Sequence, residues 1–236
     1  MFTGERVVEG GTPQRIWSDH VARYEFALGY VKGRHVLDIA CGTGYGSGIL
    51  CSGGAERVIG MDVSNEAIGL ARAKYKEEGL EFKIGNMMDT GLPEDSFDVI
   101  TCFETIEHVE SQEGAFTGLR RVLKPGGLLV ISSPNRKLTS PRRTFDARTD
   151  NPFHVREYVS EEFIQVLGQF FEVLEVYGQR AKNRLLLVPF FHGIMRRIMP
   201  GLYAPERGSP ELEKVSRKNE YRYIVVVCRK MKSDKP

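Results

Sequence analysis

The sequence has little of what marks a secreted, membrane-spanning or nucleic-acid-binding chain. Cysteine is scarce: Cys41, Cys51, Cys102 and Cys228 are the only four in 236 residues. They form no CxxC pair and lack the density of a disulfide-stapled domain, so they read as free, mostly buried thiols. No run of about 18 apolar residues occurs, which excludes a spanning helix. The opening residues, MFTGERVVEGG, carry no apolar h-region, and the expected location is cytoplasmic. Neither sign of charge is in excess, since 33 Lys and Arg against 31 Asp and Glu leave +2. That balance argues against a dedicated nucleic-acid binder, though a small basic groove stays compatible with it. Internal repeats and low-complexity tracts are also lacking. What remains, 236 residues of which 41% are hydrophobic with 25 Gly, fits one globular domain over 1–236, able to bury about 70% of its unfolded surface.

From residue 34 to 135 short β-branched apolar runs alternate with helical stretches, the pattern of βαβ units around a parallel sheet and hence an α/β fold. Strands are expected at 35–40, 57–62, 80–85, 97–102 and 128–133, with helices at 44–52, 65–78 and 114–123 between them. Ser64 is a good N-cap, Gly79 a good residue just past a helix end, and Lys124-Pro125-Gly126-Gly127 a stop and turn. Ser160, followed by Glu161 and Glu162 in the first turn, predicts a helix to Gln169. Two further strands are expected at 171–177 and 221–230. Between them, 178–220 reads as an insertion, apolar with basic interruptions and broken by Pro189 and Pro200. It suits an acceptor lid, a homodimer contact, an interfacial patch or an ordinary packed excursion.

The strongest motif is VLDIACGTGYG, from Val36 to Gly46, a strand entering a glycine-rich turn and then a helix. Glycines there let the backbone approach a ligand at the carboxyl end of the first strand, where open α/β sheets bind ligands. The spacing of Gly42, Gly44 and Gly46 is G-x-G-x-G, not the dinucleotide G-x-G-x-x-G. Asp38, four residues before Gly42, would repel a pyrophosphate and attract the ammonium of an amino-acid moiety. No Gly-Lys-Ser/Thr follows, which excludes a Walker loop. Asp62, ending the second strand, is placed to accept from two ribose hydroxyls. A nucleoside carrying an amino acid describes S-adenosylmethionine.

With the loop DIACGTGYG, Asp62, the segment IGNMMDTGLPEDSFD and the LKPGG turn, the chain resembles the class I S-adenosylmethionine-dependent methyltransferases over roughly 30–175 plus the last strand. The resemblance implies a Rossmann-like, mostly parallel seven-stranded sheet in the order 3-2-1-4-5-7-6, strand 7 antiparallel, with helices on both faces. It adds Ala40, Gly42 and Gly44 of the loop, Val63 beside Asp62, and Phe103 after the fourth strand to the cofactor-binding set. It also places Asn86 and Met87 beside the adenine. Many relatives carry Asp where this chain has Asn86, and asparagine can still accept from the adenine amino group. The lead-in TGERVVEGGTPQRIWSDHVARYEFALGYV, an N-terminal lid over 1–30, resembles that of bacterial methyltransferases of glycan and secondary-metabolite pathways. Ser18 can cap its helix, whose inner face carries Val21, Tyr24 and Leu28. Tyr24 is then a candidate for the cofactor's carboxylate end, with core packing the alternative, and Glu5 and Arg6 are candidate lid residues.

On the acceptor side the chain reads TCFETIEHV, from Thr101 to Val109. In a helical turn Glu104, Glu107 and His108, at i, i+3 and i+4, share one face and make half a site for a divalent cation. His154, in NPFHVREY, is the candidate fourth ligand. The E-x-x-E-H pattern with a later His resembles two metal-using methyltransferase families, one acting on the 2′-hydroxyl at small-RNA 3′ ends, the other on catechol-type hydroxyls in ubiquinone biosynthesis. By that match Glu104, Glu107, His108 and His154 would bind Mg²⁺ or Mn²⁺, with Glu107, His108 and His154 serving catalysis. Glu-His after strand four also occurs in members with no known metal. There His108 or His154 is the candidate general base, since imidazole titrates near neutrality. His20, His35 and His192 are assigned no role. Arg136, Lys137, Arg142, Arg143 and Arg148 form a basic stretch that suits either an acceptor phosphate or plain solvation.

The expected activity is O-methylation of a sugar, glycan or other vicinal-diol small molecule, metal-assisted. A metal-free quinone or natural-product methyltransferase, an RNA 3′-terminal 2′-O-methyltransferase and a cofactor-binding regulator are the alternatives.

Overall fold

The computed structural model describes residues 7–141, 149–184 and 209–231. The expectations for Glu5, Arg6, Arg142, Arg143, Arg148 and most of the apolar insertion fall outside the described residues.

Eight strands form one sheet: β1 (His35–Ile39), β2 (Arg57–Asp62), β3 (Leu80–Ile84), β4 (Phe97–Cys102), β5 (Leu123–Pro134), β6 (Glu172–Asn183), β7 (Glu213–Lys214) and β8 (Asn219–Arg229). Their order is β3-β2-β1-β4-β5-β8-β6-β7. The first five run parallel, while β8 is antiparallel to both β5 and β6. This is the order that the resemblance implied, with the two-residue β7 added at the edge of β6.

Period-two alternation divides the core between the two faces. Val36, Val58, Val99 and Val130 point to one side, where they pack with Ala27 and Val31 of α1 (Gln14–Val31) and Leu50 of α2 (Tyr45–Ser52). Leu37, Ile59, Ile100 and Leu129 point to the other, against Phe116 and Leu119 of α4 (Gln112–Val122) and Phe163 and Leu167 of α6 (Ser160–Leu167). A strand buried on both faces needs apolar residues at every position, which is why these segments read as continuous runs. Two further helices are α3 (Asn65–Lys74) and the short α5 (Arg136–Thr139). All four cysteines are free. Among the described residues no helix is long and apolar enough to cross a membrane.

Several boundaries differ from expectation for identifiable reasons. Helix α1 begins at Gln14 behind Pro13, so Ser18 lies inside it and bonds the Arg15 carbonyl at 2.9 Å instead of capping. Helix α3 stops at Lys74, not Glu78, because Tyr75 turns extended. Helix α6 starts with Val159, not Ser160, as N-cap, and Glu162 accepts from the Val159 N–H at 3.1 Å. Strand β5 starts at Leu123, through the LKPGG segment, with an irregular register between Phe97 and Val99. Strand β6 runs on to Asn183, paired with Asn219 of β8, and absorbs the first residues of the expected insertion.

The extension of β6 also anchors α1. Arg180 of β6 donates from Nε to Asp19 Oδ1 at 2.7 Å, and Gln179 Nε2 donates to the Asp19 carbonyl at 2.9 Å. These buried ties hold the first helix against the antiparallel side of the sheet, over the carboxyl ends of the parallel strands.

Candidate active site

At the carboxyl ends of β1, β2 and β4 lies a cleft of about 510 Å³, within the usual range for small-molecule sites. Ala40 and Glu104, just after β1 and β4, both hold left-handed backbones, φ 56° and 50°, and both line it. Such conformations cost about 1 kcal/mol or more in residues with a Cβ and concentrate where a ligand must be met. Asp62 is fixed from both sides: Oδ2 accepts from the Gly42 N–H at 2.9 Å and Oδ1 from the Ser64 N–H at 2.8 Å. Each oxygen keeps a lone pair for a hydroxyl in the cleft. Beside it Val63 is 69% exposed and lines the cleft. Phe103 and Tyr24 close the inner end.

Of the ten expected cofactor residues, Tyr24, Ala40, Gly42, Asp62, Val63 and Phe103 line this cleft; Asp38, Gly44, Asn86 and Met87 do not. Gly44, at φ 85°, is the N-cap of α2, and a Cβ there would meet Ala71 and Phe82 at 2.8 Å, so its role is to seat the helix. Asn86 turns its Oδ1 to the Met88 N–H at 3.0 Å, and Met87 is buried in the core.

Asp38 lies fully buried beneath the cleft instead of facing an ammonium. It accepts from Ser47 Oγ and Thr101 Oγ1, each at 2.7 Å, and from the Tyr24 hydroxyl at 3.1 Å. Burial pushes its carboxyl up to about 6, with the three hydroxyls holding it back from going further. The Tyr24 ring stands edge-on to Tyr45 and Phe103, and it occupies the space that a Cβ on Gly46 would need. Tyr24 is thus both packed and cleft-lining.

A second chamber, of about 210 Å³, adjoins the first and shares His20, Glu104 and His108 with it. Here Glu107, His108 and His154 each offer a donor atom, all within 4.8 Å of one another. The segment Ile106–His108 is a 3₁₀ turn, not the expected α-turn. The Glu107 carbonyl accepts from the Val155 and Arg156 N–H groups at 2.8 and 3.1 Å, which docks the loop carrying His154 onto that turn. The two imidazoles meet edge-on with centroids 4.7 Å apart. His108 Nδ1 lies 3.0 Å from the Phe153 carbonyl, and His154 Nδ1 lies 2.6 Å from Glu157 Oε1. Both bonds orient the rings as outer partners orient metal-binding histidines.

Glu107 is fully buried, and its Oε2 has no hydrogen-bond partner. Burial first, and Glu104 second, push its carboxyl well above the usual range. Burial would also raise Glu157, but hydrogen bonds from His154, Thr139 and Ser140 outweigh it and hold that carboxyl low. An orphaned buried carboxylate oxygen facing two oriented imidazoles fits a divalent cation. Glu104 is outside the cluster: its Oε1 accepts from Ser132 Oγ at 2.7 Å, so the expected four-residue set contracts to three.

Sequence reasoning passed over His20, which lines both chambers with Nδ1 3.0 Å from the Tyr45 hydroxyl. Burial, and next Arg23, hold its imidazole well below the ordinary value, hence neutral. The available signal was its spacing, one helical turn before Tyr24. Arg136 and Lys137, which suited either an acceptor phosphate or plain solvation, pair with Glu162 and Glu161.

Fold and cleft together define an α/β protein with a small-molecule site at the carboxyl ends of its parallel strands. A family model for a methyltransferase domain matches residues 37–131. A probable S-adenosylmethionine-dependent methyltransferase of Mycolicibacterium smegmatis is 35% identical over 179 residues, 75% of this chain and 67% of that protein. A ubiquinone biosynthesis O-methyltransferase of Burkholderia vietnamiensis is 37% identical over 114 residues, 47% of this chain and 49% of that one. Among solved structures, an S-adenosylmethionine-dependent methyltransferase of Mesorhizobium loti superposes with TM-score 0.62 at 20% identity, over 90% of this chain and all of that one, and so shares the fold. The chain belongs to the S-adenosylmethionine-dependent methyltransferases, and S-adenosylmethionine is its methyl donor.

Proposed function

We propose that the protein methylates a hydroxyl oxygen of a small acceptor with neighbouring hydroxyls, a sugar, glycan unit or catechol-type ring, with Mg²⁺ or Mn²⁺ held by Glu107, His108 and His154. The carrying observation is the convergence of these three donors within 4.8 Å, in a chamber opening onto the cofactor cleft. In the cleft, Asp62 would hold the ribose hydroxyls, Val63 the adenine edge, and Tyr24 and Phe103 the inner end, with Asp38 positioning Tyr24 from below. When bound, a divalent cation chelated by two neighbouring hydroxyls lowers the pKa of one and favours the nucleophilic alkoxide.

The chain's own part is orientation. Glu157 and the Phe153 carbonyl set the tautomers of His154 and His108, and the shared wall brings acceptor and methyl donor together, which supplies much of the acceleration. His20, neutral and at the junction, is placed to take the released proton. The similarity to a ubiquinone-pathway O-methyltransferase supports oxygen as the atom methylated. A second reading, without metal and with His20 as general base, is favoured by its place between the chambers. A terminal-RNA acceptor draws no support from a net charge of +2.

The test is a calorimetric titration of Mn²⁺ into protein saturated with S-adenosylhomocysteine, repeated on His154→Ala, followed by methyl transfer to catechol and simple sugars with and without EDTA. Stoichiometric binding lost in the variant, with EDTA-sensitive transfer, is the expected result. Transfer that proceeds in EDTA, with no Mn²⁺ binding, would replace the metal reading by the His20 one.

A further inference from the structure

Among the described residues two arginines, one lining the acceptor chamber and one buried against its wall, form no ion pair with a carboxylate. Arg222, on β8, lines the chamber, and its Nε donates to the Tyr223 hydroxyl at 3.4 Å. Among the described residues its guanidinium enters no ion pair. Arg23, on α1, is fully buried; Nη1 donates to Gln179 Oε1 at 2.6 Å, while Nε and Nη2 have no partner. The two guanidinium carbons lie 5.0 and 5.8 Å from the centroid of the Tyr223 ring, which itself lines the chamber. Elsewhere the arrangement is different: Arg136, Arg180 and Arg184 each reach a carboxylate, on Glu162, Asp19 and Glu220.

A buried cation without an anion is costly, and an amide oxygen and a ring face compensate it only in part. The charge of Arg23 is also felt in the chamber, because it acts on His20 and Glu107, both of which line it. Carboxyl groups of the chamber stand on the other side, built from the 106–108 turn and the 149–159 loop, where Glu107 and Glu157 flank His154. The chamber is therefore bipolar, with a donor set for a cation on one wall and unneutralised guanidinium on the wall from β8.

We propose that the acceptor carries an oxyanion, a carboxylate or a phosphate, besides the hydroxyl that is methylated, and that Arg222, backed by Arg23 behind Tyr223, receives it. This rests on the second chamber being the acceptor site. A planar guanidinium presents paired N–H donors that match both oxyanions, and its charge does not titrate away. The side chain that fixes this end of the acceptor also fixes which hydroxyl lies toward the methyl donor, so the corner sets regiospecificity as well as affinity.

The test uses the full chain saturated with S-adenosylhomocysteine and four probes: benzoate and phenyl phosphate, which have the anion without the diol; catechol, which has the diol without the anion; and benzamide, which has neither. Calorimetry or ligand-observed NMR reads each affinity. Benzoate or phenyl phosphate should bind at least about tenfold more tightly than benzamide, the stronger of the two identifying the oxyanion. Arg222→Gln should remove that preference and Arg222→Lys should restore part of it. Equal binding of benzoate, phenyl phosphate and benzamide, or a preference that survives Arg222→Gln with the variant's melting temperature unchanged, would overturn the proposal. If the anions bind as expected but catechol neither binds nor is methylated, the diol reading fails and the oxyanion corner stands.

Discussion

The buried carboxyl of Asp38 makes the stability of the cofactor-free protein depend on pH in a direction that can be worked out. Its folded value is raised from 3.8 to about 6, first by burial, with Asp62 adding to it and Ser47, Thr101 and Tyr24 opposing. A group whose pKa is higher in the folded than in the unfolded chain contributes stability that is complete below the unfolded value and disappears as pH rises through the folded one. The shift of about 2 units corresponds to about 3 kcal/mol, lost between about pH 4 and pH 7. In a domain of this size that is roughly 6–12 °C in melting temperature. Glu107 and His20 also titrate with perturbed values, so the comparison must isolate one residue. Urea unfolding of cofactor-free wild type and Asp38→Asn at intervals from pH 4.5 to 8 does so. The wild type should lose stability relative to the variant as pH rises, and the difference should level off above about pH 7. A difference that is flat, or that grows in favour of the wild type with pH, would refute the assignment of Asp38 as a desolvated carboxyl with only hydroxyl partners.

The remaining predictions concern ligands. Asp62→Ala removes the carboxylate held by the Gly42 and Ser64 amides and should weaken S-adenosylhomocysteine binding by about 2 kcal/mol or more, some thirtyfold, by calorimetry. Gly46→Ala puts a Cβ into the space of the Tyr24 ring, so Tyr24 must leave its place over Asp38; cofactor affinity should fall at least about tenfold, and unchanged affinity would separate Tyr24 from the cofactor site. Glu107→Gln should abolish the rise in melting temperature given by Mn²⁺. Because Glu107 Oε2 has no partner to lose, the metal-free variant should melt no lower than wild type, whereas breaking a buried ion pair would cost about 3–5 kcal/mol.

Much of the cofactor half is legible in the sequence, because its signals are local. An apolar strand, a glycine turn and a helix start within eleven residues specify a ligand-binding loop, and Asp62 sits at the end of the next strand because βαβ units bring consecutive strand ends to one rim. The alternation of strands and helices likewise determined the parallel half of the sheet. What the sequence could not determine were relations between residues far apart in the chain. Asp38 looks like a binding carboxylate from its place in the loop, and only the packing of Ser47, Thr101 and Tyr24 around it shows that it is sealed below the cleft. Glu104, Glu107 and His108 share a helical spacing, yet Glu104 holds a left-handed backbone and bonds Ser132, and the three donors that converge are Glu107, His108 and His154. His20 and Arg23 lie on a helix whose pattern reads as ordinary core packing. His20 lines the acceptor chamber and Arg23 is buried against Tyr223 of its wall, on a helix that β6, extending past its expected end, ties down through Asp19. Periodicity and turn chemistry act over a few residues and can be read in order along the chain; burial and charge compensation are set by whatever the fold brings alongside, and tertiary structure alone decides that.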